Sequence, residues 1–132
     1  MDIKAGEVFT SKHGVPCLVV TLARDSETLG VSVVFTSGTG LYWVMTEDDF
    51  ENGPRVATAS PGEFTALLGK YMHFKGNPYQ VVCRARDPGT LANLIVYENP
   101  DGQRWVRPEA MFLEEVTWPD GVLRPRFVPA VD

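Results

Sequence analysis

The sequence predicts an all-β protein built as two tandem small β-barrels from an internal duplication. Three observations carry this: a long gap-free self-match, short apolar runs separated by turn residues, and the composition of an ordinary folded chain. Sliding the chain by 62 positions gives fifteen identities between Gly14 and Phe50. Among them are Gly14/Gly76, Pro16/Pro78, the triplet Ala23, Arg24, Asp25 against Ala85, Arg86, Asp87, and Trp43, Val44 against Trp105, Val106. Self-similarity at a fixed period marks a repeated structural unit, here of strands. One extra residue, His13, shifts the register so that Gly6 and Lys12 match Gly69 and Lys75.

Taken in order, the first unit (residues 1–60) reads as strands at about Glu7 to Lys12, Cys17 to Arg24, Val31 to Thr36 and Leu41 to Thr46. The second unit (residues 61–132) repeats them at Lys70 to Lys75, Tyr79 to Arg86, Leu94 to Glu98 and Arg104 to Arg107. These are short β-branched and aromatic runs at the spacing of a small barrel. Gly14, Gly76 and the stretch Pro100, Asp101, Gly102 supply turns in which glycine allows a positive φ. A single helical turn is expected after each tryptophan strand, with Phe50 or Phe112 closing the barrel end. Only the second unit continues into a hairpin, Glu114 to Trp118 and Val122 to Phe127, joined by Pro119, Asp120, Gly121. Ala57 to Pro61 is the expected linker, and Glu63 to Leu68 has the composition of one helical turn.

The chain has 132 residues, 44% of them apolar, and a formal charge of −5. That balance argues against general nucleic-acid binding, which needs a basic excess. Residues 1–60 hold four bases against eight acids, and residues 61–132 hold eight bases, six of them arginine, against nine acids. Cys17 and Cys83 sit in apolar runs and read as buried free thiols rather than a disulfide. With no leader-like start and no apolar run of membrane-span length, a cytoplasmic, reducing setting and no membrane partner are expected.

At Tyr71, His73, Phe74, Lys75, Gly76, then Val96 and Tyr97, then Trp105, Val106, Arg107, Pro108 with Met111 and Phe112, and at Pro125, Arg126, Phe127, the chain resembles the domain of unknown function 1653. The resemblance covers about residues 69–127. It implies an SH3-like barrel of the kind found in small bacterial proteins, and no established activity. Members usually carry a His-Ser-Glu-Thr stretch after the second strand, where this chain has Asp87, Pro88, Gly89, Thr90. The first half keeps Ser26, Glu27, Thr28 and lacks the histidine and arginine positions, so it resembles a diverged second copy, at residues 6–56.

Alternation along strands separates the faces. Cys17, Val19, Thr21, Ala23 and their counterparts Tyr79, Val81, Cys83, Ala85 are assigned to the barrel interior. The opposite face holds Leu18, Val20, Leu22, Leu41, Trp43 and Met45 in the first unit, against Gln80, Val82, Arg84, Gln103, Trp105 and Arg107 in the second. An apolar surface of that extent is expected to be covered, by the second unit or by a homodimer partner. A bulge that slips the strand by one residue would redistribute both sets.

Tyr71, His73 and Lys75 share one face of a strand, and Trp105 and Arg107 share another. Were those strands neighbours, they would form a patch with aromatic walls suited to a small anionic ligand or peptide. The competing reading makes His73 and Arg107 internal partners of carbonyls and acids such as Glu109, and Trp105 plain core. Catalytic signatures are missing: only His13 and His73 could serve as bases, and neither cysteine has a polar approach. No ligand set for zinc and no Gly-rich phosphate loop are present, so no metal and no cofactor are expected. The acids Glu47, Asp48, Asp49 and Glu51 read as a solvated turn. The sequence thus points to a non-enzymatic binding module. The alternatives are a nucleic-acid or ribonucleoprotein accessory using Arg84, Arg86, Arg104 and Arg107, and a small enzyme with His73 as acid or base.

Overall fold

The structure, a computed structural model, describes residues 3–37, 41–57, 64, 66 and 68–130. The expected linker lies outside these residues apart from Ala57, and of the expected helical turn at Glu63 to Leu68 only Phe64, Ala66 and Leu68 fall within them. Among the described residues there are eleven strands and two helical turns: β1 Val8–Thr10, β2 Pro16–Asp25, β3 Val31–Thr36, β4 Tyr42–Thr46, α1 Glu47–Glu51, β5 Gly69–His73, β6 Pro78–Arg86, β7 Asn93–Glu98, β8 Arg104–Pro108, α2 Glu109–Phe112, β9 Glu115–Thr117, β10 Leu123–Pro125 and β11 Phe127–Pro129. No helix among the described residues is long and apolar enough to cross a membrane.

Local chemistry sets the turns. Gly14 and Gly76, at φ 83° and 92°, bend β1 into β2 and β5 into β6, each donating its N–H to a carbonyl three residues back, of Ser11 and His73. The loops after β2 and β6 are built alike. The Asp25 carboxylate accepts the N–H groups of Glu27 and Thr28, and Asp87 accepts those of Gly89 and Thr90. Leu29 and Leu91 follow in the left-handed region, at φ 64° and 63°, where leucine is disfavoured. Thr46 caps α1 by accepting the Asp49 N–H, whereas α2 starts at Pro108 with no side-chain cap.

All-β holds, but the barrel is one rather than two. Strands β2, β3, β4, β6, β7 and β8 close into a single ring, with three strands from each half. Within each half the pairing is antiparallel, and the halves meet at two short parallel seams. One seam pairs Arg24 with Trp105 and Asp25 with Val106, and the other pairs Trp43 with Arg86. Since Arg24 and Arg86 are 62 apart, as are Trp43 and Trp105, the two seams are reciprocal. β1 lies beside β2, β5 beside β6, β11 beside β5, and β9 and β10 form a separate hairpin.

Among the described residues the buried apolar side chains form three clusters. The first half has its own, with Cys17, Val19, Val33, Phe35, Trp43, Met45 and Phe50. The second half has the counterpart, with Tyr71, Val81, Ile95, Tyr97, Phe112 and Phe127. Between them lies a shared cluster of Ala23, Val34 and Val44 from one half and Cys83, Ala85, Val96 and Val106 from the other. Each half is therefore apolar on both faces of its three-stranded sheet, and only the joined chain buries both.

This arrangement corrects the face assignment. The register shifts between Val19 and Thr21 in β2 and between Val81 and Cys83 in β6, so an extra residue turns the strand over within its length. Cys17 and Val19 face the first half's own cluster, while Ala23, beyond the shift, faces the shared one. Of the residues expected at the interface, only Val20 packs on the shared cluster. Leu22, Leu41, Trp43 and Met45 belong to the first half's own core, and Leu18 is 41% exposed opposite Val8. The contact between halves is made instead by Ala23, Val34, Val44 and their counterparts.

Candidate functional site

The patch expected from Tyr71, His73, Lys75, Trp105 and Arg107 does not form as an open surface. β5 pairs with β6 and β11, and β8 with β7 and β2, so the two strands are not neighbours. They face each other across the second half's core. Tyr71 is 2% exposed with its ring edge-on to Phe112 at 5.1 Å, and Trp105 packs against the same cluster. Lys75 is exposed, its ammonium 5.8 Å from the Phe74 ring.

His73 is 9% exposed, enclosed by Phe74, Phe127 and Tyr79 at ring distances of 4.6, 4.8 and 5.6 Å. Its Nδ1 accepts the Lys75 backbone N–H at 3.2 Å. Burial, with the charges of Arg126, Lys75 and Arg107 nearby, lowers its pKa to about 4, so the ring is neutral at pH 7. A neutral, enclosed imidazole offers no approach to a substrate, which speaks against an acid or base role. Burial also raises the Cys17 thiol, and raises Cys83 to about 11, which leaves both as unreactive core residues.

Arg107 stands apart from the rest of that set. Its Nε–H donates to the Tyr97 hydroxyl at 3.3 Å and its guanidinium lies 5.9 Å from the Phe127 ring centre. Burial raises the Tyr97 pKa, partly countered by the bond from Arg107. Among the described residues the two terminal nitrogens of Arg107 make no hydrogen bond, and the residue lines a pocket of about 150 Å³ at one end of the shared barrel.

The wall of that pocket is nearly two-fold. It pairs Asp25 with Asp87, Ser32 with Leu94, Val44 with Val106, Met45 with Arg107 and Thr46 with Pro108, every pair being 62 residues apart. Asp49 and Arg55 complete it from the first half alone. β2 and β6 bring in the two aspartates as they leave the barrel, and β4 and β8 bring in the residues at positions 44 to 46 and 106 to 108. Valine and aspartate are common to both sides, so asymmetry enters through three pairs: serine against leucine, methionine against arginine and threonine against proline. The lining thus combines two guanidiniums, Arg107 and the exposed Arg55 beside Met45, with the carboxylates of Asp25 and Asp87, whose Oδ1 atoms already accept backbone N–H groups.

Sequence reasoning singled out Arg107 but not the residues that surround it in this pocket. Asp25 and Asp87 were visible as part of the repeated Ala-Arg-Asp triplet, but only the reciprocal seams put the two copies at one mouth. Ser32 and Arg55 carried no signal in the sequence. The other arginines are engaged elsewhere. Arg86, 7% exposed, stacks on Phe64 at 4.4 Å with Arg84 at 5.5 Å from the same ring, and Arg104 pairs with Glu98 at 3.2 Å. Glu109, buried, accepts the Ala66 N–H at 2.9 Å and the Asn93 amide at 3.3 Å, and its charge acts on Arg86. Among the described residues no group of three or more His, Cys, Asp or Glu side chains is placed to hold a metal ion.

Residues 69–129 match the model of a family described as "Protein of unknown function (DUF1653)". The match spans β5 to β11, the second half's share of the barrel together with its hairpin. No curated protein and no solved structure matches the chain.

Proposed function

We propose that this protein is a non-enzymatic binding module that takes a small ligand bearing an anionic group in the pocket at the end of the shared barrel, with Arg107 as the recognising residue. The observation that carries the reading is the half-buried guanidinium of Arg107, lining a cavity with its terminal nitrogens unengaged by any described residue. A guanidinium is a planar pair of donors matched to a carboxylate or phosphate, and partial desolvation strengthens that bond. The pocket is smaller than the roughly 300–1,000 Å³ of sites for drug-sized ligands, which favours an occupant of amino-acid size over a nucleotide. The carboxylates of Asp25, Asp49 and Asp87 in the same lining suit a ligand that carries a donor or cationic group as well.

The same reading takes the two halves as an internal duplication, supported by the fifteen identities and the reciprocal seams. It takes the setting as reducing and cytoplasmic, in keeping with two buried free thiols. A role on nucleic acid has less support, because Arg84, Arg86 and Arg104 stack or pair within the molecule.

The test is a thermal-shift and calorimetric screen of amino acids, short carboxylates and inorganic phosphate on the full chain. Arg107→Met, which places at this position the residue found at its counterpart Met45, is expected to remain folded and to lose at least tenfold in affinity, the worth of one charge-assisted hydrogen bond at roughly 1.5–3 kcal/mol. Arg55→Ala is expected to weaken binding less. Undiminished affinity in Arg107→Met would remove the pocket from consideration.

A further inference from the structure

The two seams that join the halves share a register, but one ends a hydrogen bond earlier than the other. At the β2–β8 seam the pairing runs through Arg24–Trp105 and Asp25–Val106, and Ser26 extends it by donating its N–H to the Val106 carbonyl at 3.0 Å. At the β4–β6 seam it stops at the counterpart of the first pair, Trp43–Arg86, and Val44 and Asp87 do not pair. One residue accounts for the difference. The counterpart of Ser26 is Pro88, which has no N–H to donate.

The consequence falls on the Val44 carbonyl. Val44 pairs with Val34 on β3 as Val106 pairs with Val96 on β7, so its carbonyl points toward the seam as that of Val106 does. There it lacks the bond that Ser26 gives its counterpart. Val44 is 5% exposed, and a carbonyl so buried is costly to leave without a donor, so water or a ligand must supply one. Val44 lines the same pocket of about 150 Å³ as Arg107, and so does Asp87. The Asp87 Oδ1 is occupied by the Gly89 and Thr90 N–H groups, while its Oδ2 accepts nothing from the described residues. The one pocket therefore holds two open acceptors, a carbonyl and a carboxylate oxygen, beside the donors of the guanidinium.

We propose that the pocket takes a small free α-amino acid whose ammonium donates to the Val44 carbonyl and the Asp87 carboxylate, and that Pro88 sets this specificity by leaving the carbonyl open. The proposal rests on the reading above, in which Arg107 takes the anionic group. An ammonium has three donors and no acceptor, so it can serve a carbonyl and a carboxylate at once, and its bonds are strengthened by its charge. So small a cavity leaves room for few atoms between the two charged groups, which favours an ammonium and a carboxylate on one carbon. A simple carboxylate or inorganic phosphate would meet Arg107 and leave the carbonyl unserved.

The test titrates glycine, L-alanine, L-serine and L-valine into the full chain by amide chemical-shift mapping, each against the carboxylate that lacks only the amino group. The amino acid of at least one pair should bind at least about tenfold more tightly, the worth of a charge-assisted hydrogen bond, with shifts at Met45, Asp87 and Arg107. Pro88→Ser, which places at this position the residue found at its counterpart Ser26, supplies the missing backbone N–H. That amide should be protected from hydrogen exchange, and the variant should hold the amino acid no more tightly than its carboxylate. Arg107→Met should instead weaken both members of a pair, so the two readings fail separately. Equal affinity within every pair would overturn the amino-acid assignment and leave the role of Arg107 intact, and absence of any binding would overturn both. A freely exchanging amide at position 88, or an undiminished preference in Pro88→Ser, would remove Pro88 and the Val44 carbonyl from the site.

Discussion

Acidification should weaken the fold through His73, and the size of the effect follows from its surroundings. In the folded protein the imidazole stays neutral down to about pH 4, whereas in the unfolded chain it titrates near 6.5. Below 6.5 the unfolded chain binds a proton that the fold does not. The stability is therefore complete above about 6.5, falls as the pH drops toward 4, and loses nothing more from this group below that. At 1.36 kcal/mol per pH unit the full interval sets a ceiling of about 3 kcal/mol. Arg107, Arg126 and Lys75, whose charges contribute to the shift, are partly solvated, so screening reduces the effective loss to about 1–2 kcal/mol. In a chain of this length that corresponds to a fall in Tm of roughly 3–8 °C. Urea unfolding of the native protein and of His73→Gln at pH 7.0 and pH 4.5 isolates the contribution, because the two proteins differ at that one residue. Native protein should lose about 1–2 kcal/mol more than the variant over that interval. Parallel losses in the two proteins, or an imidazole resonance titrating near 6.5 in the folded state, would refute the placement of His73 in a dry, positively charged enclosure.

Two further outcomes test the architecture. Leu91 sits at φ 63° and is 37% exposed, so Leu91→Asn, which tolerates that conformation, should raise stability by about 0.5–1 kcal/mol in urea unfolding, and Leu91→Val should lower it by about 1 kcal/mol or more. A fragment of residues 1–60 would expose Ala23, Val34 and Val44 to water, so sedimentation should find it aggregated or self-associated; a monodisperse, folded monomer would contradict the shared core.

Much of the fold was legible in the sequence because strand and turn signals are local. The predicted strands coincide with β2 to β8 to within one or two residues, the helical turns follow both tryptophan strands, and Pro119 to Gly121 joins β9 to β10. The closure of the barrel was not legible, because it depends on two seams with only three registered residue pairs between them, joining positions 81 residues apart at one seam and 43 at the other. The bulges mattered most. Val20 and Val82 are ordinary strand residues, and nothing in their chemistry announces that the alternation reverses there, yet the reversal decides whether Trp43 and Met45 face the other half or their own core. His73 and Tyr71 were correctly placed on one face of one strand, and burial of that face turned a candidate binding patch into core.

The shared barrel also explains why a methionine-to-arginine difference carries more weight than any other contrast between the halves. In a ring with reciprocal seams, corresponding residues meet near one axis, so whatever Met45 and Arg107 flank is flanked from both sides at once. Two methionines there would extend the apolar core to the barrel mouth, and two arginines would place like charges together at a cost that partial burial increases. One of each leaves a single guanidinium with apolar support, held by Tyr97 through Nε and with its terminal nitrogens turned to no described acceptor. Asp25 and Asp87 each use Oδ1 to hold the loops that shape the mouth. A mouth whose corresponding positions carry different residues can arise in a joined chain, where the halves differ in sequence, but not in a symmetric pair of identical copies. Joining the halves in one chain is what gives Arg107 a methionine, Met45, as its counterpart rather than a second arginine.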